Sequence, residues 1–220
     1  MKRLKITGGD IIAPDGILEG GCVLVEGDRI AAVSQSDIPA ADAQELDATG
    51  CVVSPGFVET HCHGGGGFDF MDATTEAFEG AALLHARHGT TTLYPTSVAG
   101  SLPDTRRLID AFLSLPDTLR QMVRMPGLHL EGPYVAVSQK GALDERYITD
   151  PVPEDFMPLL ETGSIRRWTI APERPGALAM GDALRARGVL PSMGHSECTF
   201  DEAEAARDHG FTHVTHLYSG

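Results

Sequence analysis

Residues 55–67 read Pro-Gly-Phe-Val-Glu-Thr-His-Cys-His-Gly-Gly-Gly-Gly, and the pattern of the chain changes at this stretch. Phe57–Thr60 has the length and composition of a short strand that leads directly into His61. Downstream of it, short β-branched runs alternate with helix-length segments, and several of those segments end at a glycine. This alternation is typical of a parallel β/α architecture.

We predict six strands and five helices in this β/α part of the chain. The strands cover Phe57–Thr60, Thr90–Tyr94, Gly127–Glu131, Ile165–Ile170, Val189–Met193 and Thr212–His216. The helices cover Ala73–His88, Leu102–Leu115, Pro153–Glu161, Ala177–Arg187 and Phe200–His209. A closed β/α barrel has eight strands and about 250 residues. We therefore expect an incomplete barrel whose chain stops inside a motif; the alternative is an open, doubly wound sheet that is complete with six strands.

Residues 1–54 have a different pattern and are predicted to form a separate small β domain, followed by the β/α part over residues 55–220. Short apolar runs are separated by Gly-Gly, Pro-Asp-Gly and Gly-Asp turn signals. The predicted strands are short and antiparallel, and residues 39–50 are predicted to be a connector. The apolar runs are Leu4–Ile6, Ile11–Ala13, Cys22–Glu26 and Ile30–Val33.

Charge and cysteine content narrow the class of protein. The 220 residues carry a formal net charge of −14, and such an acidic surface repels nucleic acid and anionic membranes. The 4 cysteines are scattered without a C-x-x-C pair, which is typical of a reducing compartment. No apolar stretch reaches the roughly 20 residues needed to cross a bilayer. We expect a cytoplasmic protein with a small-molecule partner, no nucleic acid and no membrane.

Histidine and glutamate side chains occur at the ends of four predicted strands. His61 and His63 follow the first strand, Glu131 ends the third, and His195 and His216 follow the fifth and end the sixth. In parallel β/α folds the active-site groups lie at the carboxyl ends of the strands. Imidazole and carboxylate ligands bind Zn²⁺ at about 2.0–2.2 Å. The sequence therefore predicts a site for one or two divalent metal ions, and these ligands suit Zn, Fe, Ni or Mn.

The other histidines and the glycine run are predicted to have structural roles. Gly64–Gly67 lacks the spacing of a nucleotide-binding loop, so we interpret it as a flexible loop that lets the backbone approach the site closely. His129 shares the facing of Glu131 and is assigned either to the surroundings of the metal or to the core. The remaining histidines are assigned to surface or packing positions on helices (His85, His88, His209) or to a buried position on the last strand (His213).

Four segments taken together resemble one family. They are residues 55–70; His129-Leu-Glu-Gly-Pro-Tyr with the later Lys140-Gly-Ala; the run from Gly194 to Ala203; and Thr215-His-Leu-Tyr. In this order they resemble the N-acetylglucosamine-6-phosphate deacetylases of the metal-dependent amidohydrolase superfamily, over essentially the whole chain. The resemblance implies an α/β fold with a TIM-like (β/α)8 barrel, of which about six units are present, and a small N-terminal β-sandwich domain.

The resemblance also implies a reaction and roles for individual residues. Its members hydrolyse the acetamide of N-acetylglucosamine 6-phosphate to give glucosamine 6-phosphate and acetate. By position, Glu131, His195 and His216 would hold the main metal ion, zinc in the first instance, and His61 and His63 a second ion that some members have. Substrate contacts are implied at Ala142, Leu143, Ser219 and Gly220. The catalytic aspartate, a phosphate-binding arginine and a histidine from the partner subunit of a homodimer are expected beyond Gly220, so the acid/base is not identified here.

Two departures from the family pattern leave the substrate open. Leu143 occupies a position where the family usually has histidine, and Ser219-Gly220 occupies the place of Asn-Ala. Neither position is a metal ligand, so the departures concern the exact sugar phosphate. The alternatives are another amidohydrolase that acts on cyclic amides or N-acyl amino acids, and an inactive metal-binding fragment.

Overall fold

The computed structural model describes residues 2–218, which divide into two compact units with a boundary between Gly56 and Phe57. The first unit is a five-stranded sheet. Its strands are β1 (Arg3–Ala13), β2 (Gly16–Glu26), β3 (Arg29–Ser34), β4 (Gln44–Asp47) and β5 (Val52–Val53). Strands β1, β2 and β3 are antiparallel neighbours, whereas β4 and β5 both pair with β1 in parallel.

Three predictions for this first unit are wrong. The two short runs predicted within residues 4–13 are one strand, because Gly8 and Gly9 form an irregularity inside β1 instead of a turn. Gly8 has a positive φ of 78°, a conformation that glycine adopts without steric cost. The predicted connector at residues 39–50 contains strand β4, and the parallel pairing of β4 and β5 departs from the predicted antiparallel arrangement.

The second unit contains strands β6–β13 and helices α1–α6. The strands are β6 (Phe57–Cys62), β7 (Gly64–Gly65), β8 (Phe68–Asp69), β9 (Thr90–Pro95), β10 (Leu128–Glu131), β11 (Ile165–Ile170), β12 (Leu190–Met193) and β13 (His213–Val214). The helices are α1 (Thr75–Arg87), α2 (Leu102–Leu113), α3 (Asp117–Met122), α4 (Pro153–Leu160), α5 (Ala177–Arg185) and α6 (Phe200–Asp208). Three single turns of 3₁₀ helix cover Phe70–Asp72, Val137–Gln139 and Glu145–Tyr147.

Six strands of this unit lie side by side in the order in which they occur in the sequence. They are β6, β9, β10, β11, β12 and β13. Strand β6 pairs with β9 in parallel, and β10, β11, β12 and β13 form a parallel sheet in that order. Single parallel bridges at Thr92–Arg124 and Thr96–His129 connect β9 with the segment that contains β10. In a doubly wound sheet the strand order reverses at one point. Along residues 57–218 of this chain the order does not reverse. The prediction of an α/β fold built from parallel β/α units is confirmed.

Local sequence signals explain where the helices begin and end. Thr74, Ser101 and Thr199 cap the first turns of α1, α2 and α6 through their side-chain oxygens. Each of the five predicted helices is present with ends within about two residues of the prediction. Helix α3 was missed because it is only 6 residues long and has no side-chain cap.

The core of the second unit lies between the helices and the parallel strands. Helices α1 and α2 contribute Phe78 and Leu108, and strands β9 and β11 contribute Leu93 and Trp168, all fully buried. The Trp168 indole N–H donates to the Gly132 carbonyl at 2.8 Å, so the polar edge of this large side chain is satisfied inside the core. None of the helices within residues 2–218 is long and apolar enough to cross a membrane.

Helix α2 offers a matched pair of leucines for a stability test. Leu108 is fully buried and Leu113, on the same helix, is 48% exposed. We expect Leu108→Ala to lower the free energy of unfolding by about 2–5 kcal/mol, because it leaves a cavity in the core. Leu113→Ala should cost less than about 1 kcal/mol. Denaturant unfolding of the two variants measures the difference, and equal losses would contradict the assignment of the buried face.

Candidate metal centre

The four histidines predicted as metal ligands surround the carboxylate of the fifth predicted ligand, Glu131. Glu131 ends strand β10 and is 3% exposed. Its Oε1 atom lies 3.1 Å from His195 Nε2 and 2.8 Å from His216 Nε2. Its Oε2 atom lies 3.3 Å from His61 Nε2 and 3.2 Å from His63 Nε2. The ligand atoms of His61, Glu131 and His216 lie within 4.8 Å of one another, a spacing compatible with a shared cation.

The hydrogen bonds of the other ring nitrogens favour metal binding. His195 Nδ1 donates to the Gln139 carbonyl at 2.8 Å, and His63 Nδ1 donates to the Thr96 carbonyl at 3.3 Å. In a neutral imidazole with its proton on Nδ1, the lone pair is on Nε2, which here faces Glu131. Two acceptors that face each other need a proton or a cation between them. The arrangement therefore fits a divalent ion, whose imidazole ligands are oriented in the same way by a second hydrogen bond.

Electrostatics at the site are dominated by the buried carboxylate. Burial raises the pKa of Glu131, but hydrogen bonds donated by His195, His61 and His63 when Nε2 carries a proton outweigh burial and hold that pKa well below its ordinary value. The hydrogen bond with Glu131 in turn raises the pKa of His63 and of His195, against the opposing effect of burial. Glu131 is therefore a permanent anion at neutral pH, as a metal ligand must be.

Two of the histidines have an unusual backbone conformation. His195 has φ = 50° and His216 has φ = 57°, both in the left-handed region. Non-glycine residues in this region cost roughly 1–3 kcal/mol and cluster at functional sites. Both histidines lie two residues after the end of a strand, β12 and β13 respectively. The chain therefore turns sharply at each of these strand ends, and the surrounding structure has to hold the turn in place.

The glycine run after His63 is an ordered hairpin and not the flexible loop that we predicted. Strands β7 and β8 pair through Gly64–Asp69 and Gly65–Phe68. The two residues between the strands, Gly66 and Gly67, have φ = 66° and 90°, as a tight hairpin turn requires. A Cβ on Gly64 would lie 2.1 Å from the Phe68 carbonyl oxygen, so the close approach predicted for this backbone occurs within the hairpin itself.

The floor of the site is a buried polar cluster that sequence reasoning largely missed. His129 is fully buried, and its Nε2 lies 2.7 Å from Thr169 Oγ1. Burial, followed by the nearby charges of Arg167 and His61, lowers the pKa of His129 well below its usual value. Arg167 donates to Ser192 and Thr215 hydroxyls at 3.1 and 2.6 Å. The available signal was the two-residue spacing of Arg167 and Thr169, which puts both on one face of β11.

The remaining histidines divide between packing and surface positions. His85 is part-buried and its Nε2 lies 3.1 Å from the Gly64 carbonyl, so it packs against the hairpin. His88 is exposed at the end of α1. His209 Nδ1 lies 2.8 Å from Asp182 Oδ2, within hydrogen-bond distance. His213, which we predicted to be buried, is exposed; it lies on β13, the edge strand of the four-stranded parallel sheet.

A cavity of about 590 Å³ opens beside the histidines and Glu131. Its size falls in the range of small-molecule sites. Ala142 and Leu143, the predicted substrate contacts, are among its lining residues, together with Val98, Ala99 and Tyr147. Leu143 is 6% exposed and packs in a small apolar cluster with Ala99 and Val135. The other two predicted substrate contacts, Ser219 and Gly220, lie outside the described residues.

Parallel β/α units with a buried glutamate and four histidines at the strand ends define the class of the amidohydrolase-type metal-dependent enzymes. A scan against protein-family models finds no match. The chain is 32% identical over 197 residues to the N-acetylglucosamine-6-phosphate deacetylase of Lysinibacillus sphaericus, covering 87% of this chain and 50% of that protein. It is 33% identical over 183 residues to the human N-acetylglucosamine-6-phosphate deacetylase, covering 80% and 44%.

A solved structure agrees with these relatives. It is a mutant N-acetyl-D-glucosamine-6-phosphate deacetylase from Mycobacterium smegmatis in complex with N-acetyl-D-glucosamine-6-phosphate, with a TM-score of 0.86 and 34% identity. The match covers 100% of this chain and 56% of that chain. The chain belongs to the N-acetylglucosamine-6-phosphate deacetylase family of the amidohydrolase superfamily. It spans about half the length of the curated relatives it matches.

The geometry around Glu131 yields a test of metal binding. We expect His195→Ala and His216→Ala each to weaken zinc binding by more than about a hundredfold, beyond the loss typical of residues that only support a ligand. His88→Ala should leave the affinity unchanged, because His88 is exposed and bonds only to the Leu84 carbonyl among the described side-chain contacts. Competition with a chromophoric chelator measures the affinities. Zinc binding of normal strength in both ligand variants would rule out this centre.

Proposed function

We propose that this chain carries the metal-binding part of an N-acetylglucosamine-6-phosphate deacetylase, which hydrolyses the acetamide of N-acetylglucosamine 6-phosphate to glucosamine 6-phosphate and acetate. The observation that supports this most strongly is the buried Glu131 carboxylate with four imidazoles around it, beside a cavity of small-molecule size. The substrate is inferred from the family, whose members are named for deacetylation of N-acetylglucosamine 6-phosphate.

The finer architecture is part of the same proposal. We assign residues 55–220 to a TIM-like (β/α)8 barrel, of which about six units are present, and residues 1–54 to a small β-sandwich domain. The sequential parallel order of β6, β9, β10, β11, β12 and β13 supports the barrel, because barrel strands follow one another in this way. The single five-stranded sheet of the first unit would form one layer of this sandwich.

The ligands divide between the two oxygens of Glu131. His195 and His216 face Oε1, and we assign these three residues to the main metal ion. His61 and His63 face Oε2, and we assign them to a second ion. Zinc suits imidazole and carboxylate ligands, and iron, nickel and manganese are the other candidates. When bound, a divalent cation polarises a carbonyl oxygen and lowers the pKa of water.

The protein's own residues hold the substrate and shape its surroundings. The apolar surface of Val98, Ala99 and Leu143 lines the cavity beside the ligands, and it would exclude water from one side of the amide that is cleaved. We assign substrate contacts to Ala142 and Leu143, and also to Ser219 and Gly220. The proposed assembly is a cytoplasmic homodimer.

A second candidate function keeps the metal centre and changes the substrate. Leu143 offers no hydrogen bond to a substrate amide through its side chain, and it is buried in an apolar cluster. This favours hydrolysis of a cyclic amide or an N-acyl amino acid by a related amidohydrolase. The two candidates differ in whether the protein requires a sugar phosphate.

Acetate release from N-acetylglucosamine 6-phosphate tests the proposal. We expect the full-length natural protein to release acetate, to lose this activity when a chelator removes its metal, and to regain it when zinc is added. Free N-acetylglucosamine should react far more slowly, because it lacks the phosphate. If a folded, metal-loaded protein leaves the sugar phosphate intact but hydrolyses a cyclic amide or an N-acyl amino acid, the second candidate replaces the first.

A further inference from the structure

The carboxylate of Glu173 accepts hydrogen bonds from Ser196 and Glu197, the two residues that directly follow the proposed ligand His195. Glu173 lies in the loop after β11, and its Oε2 accepts a hydrogen bond from Ser196 Oγ at 2.6 Å. Its Oε1 accepts a second bond, from the Glu197 backbone N–H, at 2.9 Å. One side chain therefore fixes both a side chain and a backbone amide immediately after the ligand.

This contact matters because of the backbone of His195. Its left-handed φ of 50° is a conformation that persists only when the surroundings enforce it. The loop after β10 contributes two hydrogen bonds to His195 itself. The Ala136 N–H donates to the His195 carbonyl at 2.8 Å, and the Gln139 carbonyl accepts from the imidazole Nδ1 at 2.8 Å. Glu173 holds the two residues after His195, Ser196 and Glu197, through which the chain leaves the turn.

Glu173 is itself part of a fixed loop. Its neighbour Arg174 pairs with Asp150 at 2.7 Å. The Ala171 N–H donates to the Tyr134 carbonyl at 2.9 Å, and the Arg174 N–H donates to the Ala171 carbonyl at 3.1 Å. The loop after β11 is therefore tied to the segment after β10, so Glu173 can act as a rigid anchor.

We infer that Glu173 is a positioning residue that holds His195 in the conformation in which its imidazole reaches the metal. The inference rests on the proposed metal centre and adds a residue outside it. Glu173 does not belong to the set of five ligands. It acts through Ser196 and Glu197. Its removal should therefore weaken metal binding by displacing the His195 imidazole, without removing that ligand.

The chain contains a matched control for this experiment. Glu202 accepts the same kind of bonds, from the Thr199 backbone N–H at 2.7 Å and from Thr199 Oγ1 at 2.9 Å. These bonds cap helix α6 and do not involve the residues beside His195. Glu202→Ala therefore removes an equivalent pair of hydrogen bonds a short distance along the same segment.

The experiment measures zinc affinity of the full-length protein by chelator competition and the melting temperature of the metal-free protein. We expect Glu173→Ala to weaken zinc binding by about tenfold to a hundredfold, the usual effect of residues that orient a ligand. Glu173→Gln should lose less, because its amide can still bond to both partners. Glu202→Ala should lower the melting temperature and leave zinc affinity unchanged. If Glu173→Ala does not fold, Ser196→Ala removes one of the two bonds from the other side and should weaken zinc binding in the same direction.

The outcomes separate this inference from the proposal on which it rests. Normal zinc affinity in Glu173→Ala or in Ser196→Ala, with binding lost in His195→Ala, would overturn the positioning role and leave the metal centre intact. An equal loss of affinity in Glu202→Ala would also overturn it, because general destabilisation would then explain the effect. A wild-type protein that binds no zinc would sink the metal centre and, with it, the role of Glu173.

Discussion

The burial of the Glu131 carboxylate is the constraint on which the second unit depends. Moving an ionised carboxylate out of water costs several kcal/mol even after the protein relaxes, and Glu131 is 3% exposed. Groups that favour the charged form must therefore surround it, and here they are imidazoles delivered by β6, β12 and β13. The ends of four strands have to meet at one point for this to happen, and a regular parallel arrangement of β/α units provides this.

That arrangement also explains why much of the fold can be predicted from sequence. Each β/α unit is defined locally, by a short β-branched run, a capped helix such as α6 and a glycine after the helix such as Gly210. The candidate ligands could be predicted because they lie at strand ends, where the parallel architecture gives each side chain a direction. Glu131, His195 and the other three candidate ligands were therefore predicted from position and chemistry, and their side chains lie close together in the structure.

Several features that escaped prediction depend on contacts between parts of the chain that are distant in sequence. Gly8 and Gly9 carry a turn signal, but the pairing of β1 with β2 on either side of them keeps the strand continuous. Residues 39–50 show no strand pattern strong enough to reveal β4, which exists because β1 offers it an edge. Glu173 looks like an ordinary loop glutamate, and its role emerges only when Ser196, 23 positions further along, is brought beside it.

The two halves of the metal centre differ in what keeps them in place. His61 and His63 lie on one short segment, and their relative position follows from a single strand and the hairpin that comes directly after it. His195 and His216 come from separate strands, each in a left-handed turn. The backbone and imidazole of His195 are held by the loop after β10, and the residues that follow it are held by the loop after β11. A disturbance of those loops therefore acts first on the Oε1 side, where the main ion is proposed. Residues distant in sequence from His195, such as Gln139 and Glu173, therefore contact it or the residues directly after it, and the position of its imidazole depends on loops as well as on strands.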